Sequence, residues 1–137
     1  MRRGEPGRGN SRRGHHVIED NEPVRLQYQE ALYCSVAFSR ISRIYSVLAD
    51  TEEEAATREG FTAIAAENDD LANKLVARAV LYASESDVPE NNTTIELREF
   101  QQEADAIFEE NEDIVALAEE MTRRADKCEA KIDAGEL

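Results

Sequence analysis

Between Leu97 and Ile132 a regular stripe recurs at strictly alternating intervals of three and four. It runs through Leu97, Phe100, Ala104, Ile107, Asn111, Ile114, Ala118, Met121, Ala125, Cys128 and Ile132, with Asn111 its one polar member. A spacing that averages 3.5 keeps one face of an α-helix against a neighbour, whereas a strand would alternate with a period of two. As a single rod, these 36 residues would extend about 54 Å. The chain is therefore expected to be all-α, and this last helix, placed at about 94–134, is expected to outrun whatever packs on it.

Two further helices are legible upstream. Over about 23–49, Ala31, Cys34, Phe38, Ile41, Tyr45 and Leu48 keep the same register, and Ala37, Ile44 and Val47 widen the apolar face enough to serve two neighbours. Pro23 suits a first helical turn, where its missing N–H has no partner to lose. Over about 52–84, Phe61, Ile64, Asn68, Leu71, Leu75 and Tyr82 are in register, with Arg78 a second polar residue on the line. Thr51 with Glu54 and Thr93 with Glu96 stand at capping-box spacing, which marks helix starts near 52 and 94, with a continuous helix through residue 50 as the alternative to the first. The polar run from Ser84 to Asn92, interrupted by Pro89, reads as a loop. The expected fold is an antiparallel three-helix bundle or coiled-coil hairpin spanning 23–134, with a disordered Arg/Gly-rich tail over 1–22.

Composition is the reason for expecting that tail. Residues 1–22 hold four of the six glycines and almost nothing apolar, so burial cannot offset the entropy of ordering them. The first sixteen residues carry five Arg against one Glu, so the net charge of −14 understates the acidity of the helical body. Such a body repels nucleic acid and anionic lipid over roughly 8 Å at physiological salt. Interleaved aromatics that would let the tail stack on bases are missing, and the expected role of the tail is to keep the chain soluble.

Site chemistry is sparse. The acidic stretch Glu109, Glu110, Glu112, Asp113, Glu119 and Glu120 reads as a solvated face, because carboxylate metal sites in bundles combine Glu with His and the only histidines are His15 and His16. No cofactor and no metal are expected. Cys34 and Cys128 have no histidine near them in the helical region to activate a thiolate. They are few and far apart in sequence, so they are expected to be free thiols that pack as small hydrophobes. No apolar run nears the roughly 18 residues that span a bilayer, and the N-terminus lacks the apolar segment of a secretory signal. The expected location is intracellular, in the cytoplasm.

Two residues carry a finer expectation. Asn68 and Asn111 both fall at core positions, and a paired amide hydrogen bond between them would hold the register; the alternative is that each reaches solvent at the edge of a loose seam. The serines at 35, 39, 42 and 46 form a stripe that permits close approach of another helix, although exposed filler is the simpler reading. Ile114 is expected in a buried layer, so that an aspartate there would unfold the bundle or abolish assembly.

With no enzyme motif, the expected function is a non-enzymatic structural or adaptor subunit. It would bind other proteins through the overhanging end of its last helix, with Ile107, Ile114, Met121, Cys128 and Ile132 as the partner interface and a hetero-oligomeric helical assembly as the product. A BAR-like helical dimer on a membrane is the second class, opposed by the shortage of basic residues outside the tail. A helical enzyme or metal-binding bundle is the third, opposed by the lack of histidine.

Overall fold

The computed structural model describes residues 16–137, with side chains from Val24 onward apart from Glu90. It contains four helices and no strand among the described residues: α1 His16–Thr51, α2 Ala55–Glu85, α3 Glu90–Asn111 and α4 Ile114–Asp133. The tail expected over 1–22 lies outside the described residues as far as 15. From His16 onward the chain is already helical, seven residues ahead of Pro23.

Cross-helix contacts fix the directions. Ser42 Oγ donates to the Ala65 carbonyl at 2.7 Å, and the Tyr45 and Phe61 rings lie 5.7 Å apart, so α2 runs back along α1. Tyr28 meets Glu96, Tyr33 meets Phe100 and Arg40 meets Asp105, so α3 runs parallel to α1. Cys34 meets Cys128 and Glu30 meets Lys131, so α4 runs antiparallel to it. All three other helices pack on α1, and α1 with α2 makes the most extensive contact; α2 and α4 do not approach each other among the described residues.

This central position explains why the middle of α1 is buried nearly all round. Ala31, Leu32, Cys34, Ser35, Val36, Ala37 and Phe38 are all buried, more than a helix with one apolar stripe could hide. Burying Leu32 or Phe38 contributes about 1.5–3 kcal/mol each as an upper bound. Against it, α2 presents a line of small side chains: Ala65, Ala72 and Ala79 at steps of seven, together with Leu75 and Ala83. Small residues on both sides let the backbones come close, which is how the Ser42 hydroxyl reaches a carbonyl of the neighbouring helix. The serine stripe is therefore used: Ser35 is buried, with Oγ donating to Leu32 O at 2.8 Å, and Ser42 bridges to α2.

Three sequence expectations are overturned. The long last helix is two helices, because Glu112 adopts a left-handed conformation at φ 51° and Asp113 caps the next helix, its carboxylate accepting from the Val115 N–H at 2.9 Å. For a non-glycine residue that conformation costs roughly 1–2 kcal/mol, and the cap and the return of α4 onto α1 offset it. The three-helix count and the overhang of a 54 Å rod fall together. Neither capping box forms: Thr51 ends α1 and donates back to Val47 and Leu48, Glu54 caps α2 without a side-chain bond, and α3 begins at Glu90 behind Pro89.

The third correction concerns the cysteines. Cys34 and Cys128 form a disulfide, with Cα atoms 5.8 Å apart across a sequence separation of 94. Distance along the chain is the wrong criterion, because the antiparallel return of α4 brings the two positions side by side.

Candidate functional site

At the end of the molecule where α1 finishes and α3 gives way to α4, the helices part and leave an apolar groove of about 970 Å³. Its floor and walls come from Ile44, Val47 and Leu48 on α1, Phe108 on α3, and Ile114, Val115, Leu117 and Ala118 on α4. The local cause is the break at Glu112 and Asp113. A continuous helix would carry residues 114–118 onward past the end of α1, whereas the reversal folds them back beside it.

Solvent reaches the groove. Val47 and Val115 are each 56% exposed and Ile114 is 50% exposed, and Leu48 and Phe108 are also exposed. Only Leu117 among these is buried. Single exposed apolar residues are ordinary on protein surfaces, but five from three helices around one depression form a contiguous patch of the kind that marks an interaction site.

The rim is charged and divides into paired and unpaired groups. Arg40 is paired with Asp105, Nη2 donating to Oδ2 at 3.0 Å, and Arg123 is paired with Glu120. Arg43, Glu109, Glu119 and Asp126 also line the groove, and none makes an ion pair with another described residue. The α4 wall thus changes along its length, from apolar at 114–118 to acidic at Glu119 and Asp126.

A polar cluster behind that wall holds α4 in place. Arg124 is buried, donates from both terminal nitrogens to the two Glu103 oxygens at 2.8 Å each and from Nε to Glu120 at 2.8 Å, and lies 4.9 Å from the centre of the Tyr33 ring. The fork matches a carboxylate on two parallel bonds, an arrangement lysine could not make. The hydrogen bond from Arg124 holds the Glu103 carboxyl below its ordinary range, and bonds from Arg123 and then Arg124 do the same for Glu120. At the other end of the bundle, Tyr28 donates to Glu96 at 2.7 Å, and its phenol is pushed up to about 12, chiefly by burial.

The residues singled out in the sequence are scattered by this arrangement. Ile114 belongs to the groove and is half exposed, so the buried layer expected for it does not exist. Met121 is fully buried and Cys128 lies in the disulfide, so both serve the interior, while Ile107 and Ile132 are partly buried against the core. Asn68 and Asn111 are not paired with each other: each donates to the carbonyl four residues back, Ile64 at 2.9 Å and Ile107 at 2.7 Å, and Asn111 is the last residue of α3. Sequence reasoning missed Phe108 and Val115, which lie off the heptad line; the adjacent apolar pair Ile114-Val115 directly after an aspartate was the available signal.

Among the described residues no group of three or more His, Cys, Asp or Glu is placed to hold a metal ion, and no helix is long and apolar enough to cross a membrane. Compared with protein-family models, curated proteins and solved structures, the chain finds no match, and the functional reading is carried by the groove's own geometry.

Proposed function

We propose that the protein is a non-enzymatic structural or adaptor subunit, and that it binds a helical segment of another protein in the groove formed by α1, α3 and α4. The observation that carries this reading is the exposure of Val47, Leu48, Phe108, Ile114 and Val115 around one depression. A helix laid into such a groove buries an apolar stripe against three walls, a recurring mode of peptide recognition. A small molecule fits less well, because ligand pockets cover most of their ligand's surface and these walls stand open. The assembly is hetero-oligomeric on this reading, since the net charge of −14 works against close approach of two copies. The same charge disfavours an anionic membrane as the partner.

The compartment is part of the proposal. The interior of a cell is the proposed location, whereas the Cys34–Cys128 bond fits an oxidising environment. Alkylation of free thiols at the moment of cell lysis decides between them, since reagent uptake at both cysteines places the chain in a reducing compartment.

Val47→Asp with Val115→Asp tests the docking surface. Both positions are more than half exposed, so the melting curve should stay within about 0.5 kcal/mol of the parent, while recovery of a cross-linked protein partner should fall to background. Unchanged recovery with an unchanged melt removes the groove as the binding surface.

A further inference from the structure

Resting on the docking reading, we propose that the segment the groove receives is an amphipathic helix of about three turns, whose apolar anchors at one end give way to basic residues about one and three turns further along. The length comes from the walls. The α1 wall runs from Arg40 to Leu48 and the α4 wall from Ile114 to Asp126, which at the α-helical rise is roughly 12 and 18 Å.

The chemistry comes from charge on those walls. Val115 and Ala118 give way along α4 to Glu119 and Asp126, seven residues apart and therefore on one face two turns apart. Glu109 adds a third carboxylate from α3. None of the three is neutralised by another described residue, against a single unpaired cation on the rim, Arg43, among the described residues. A helix lying along α4 with its anchors on Val115, Phe108 and Val47 would place its next turns beside these carboxylates. Lysine or arginine there meets complementary charge, and glutamate or aspartate meets repulsion.

The alternative occupants match less well. A second copy of the chain brings further negative charge, and residues 1–15 bring arginines but no Leu, Ile, Val or Phe to fill the apolar half.

The test uses the full chain and two synthetic peptides of one apolar helical pattern, one with Lys and one with Glu at the flanking positions, followed by fluorescence anisotropy. The Lys peptide should bind about tenfold more tightly, ~1.4 kcal/mol, and the difference should shrink as salt rises from ~0.1 to ~0.5 M. Reversing the rim with Glu109→Lys, Glu119→Lys and Asp126→Lys should invert the preference. The same charge change on the outer face of α2, Glu59→Lys, Glu67→Lys and Asp69→Lys, should leave it in place. If the α2 variant abolishes the preference equally, overall charge and not the rim is responsible, and the inference is overturned. Equal binding of both peptides to the parent, lost in Val47→Asp/Val115→Asp, also overturns it while leaving the docking reading intact. Binding indifferent to Val47→Asp/Val115→Asp removes both.

Discussion

Where α1 and α2 come closest the seam carries a line of alanine and serine; α3 and α4 are bridged by arginine and carboxylate. The first hairpin buries Ala65, Ala72, Ala79 and Ala83 against a helix carrying Ala31, Ser35 and Ser42, and these seam residues include no ionisable group. The second depends on the Arg124 fork to Glu103, which Glu120 of the same helix steadies, and a disulfide ties its outer helix to α1. Close packing of small residues is insensitive to pH and redox conditions and intolerant of added volume. A charged contact with a covalent tether has the opposite sensitivities. The groove sits on the second kind of contact, so the surface proposed to bind is also the part of the molecule most responsive to its surroundings.

Breaking the tether should separate the two halves most clearly. Cys128→Ser, or reduction by a dithiol, releases a loop closed across 94 residues, for which chain entropy predicts a loss of about 4–5 kcal/mol. Hydrogen exchange should show that loss first in α4, with the amides of α1 and α2 opening at a higher free energy. Uniform loss of protection across all four helices would show that the hairpins are not separable.

Adding volume should strike the other half. Ala79 is fully buried, and Ala79→Leu places three extra carbons where two backbones approach, at a cost of about 2–3 kcal/mol. Denaturant unfolding measures it, and a loss below about 0.5 kcal/mol would show that the α1–α2 seam has room to spare.

The smallest effect is also the one with a pH signature. Glu103 and Glu120 have folded pKa values held below the ordinary glutamate value of 4.5. Their contribution is therefore present above the ordinary carboxylate range and is lost as pH falls through the lowered folded values. Arg124→Met should cost about 1–2 kcal/mol at neutral pH, the fork being only partly shielded from solvent. It should also flatten the acid limb of the stability curve below about pH 4.5. An acid limb of unchanged steepness would show that Arg124 is not what lowers the Glu103 carboxyl.

The contrast between the halves also governs what can be read from sequence. Helical class, the turn after residue 50 and the loop before Pro89 are legible because apolar periodicity and polar breaks are local signals. The alanine line on α2 does not stand out beside Phe61, Ile64 and Leu71, since alanine carries little weight in a hydrophobic pattern and matters only when a neighbour comes close. The break before α4 is hidden by coincidence: Ile107, Asn111 and Ile114 keep heptad spacing straight across it, and glutamate at 112 carries no signature of a left-handed turn. Without that break the groove cannot be seen, because Phe108, Val115 and Val47 converge only after α4 has turned back. The disulfide is illegible for the same reason.

The two cysteines also impose an order on biogenesis. Cys34, in the middle of α1, leaves the ribosome before α2, and α1 and α2 are complete once residue 85 has been made. Its bonding partner emerges only after α3 and most of α4, 94 residues and about 5–20 s later at ~5–20 residues per second. Throughout that interval the nascent hairpin displays an unpaired thiol and the flank of α1 that α3 and α4 later cover.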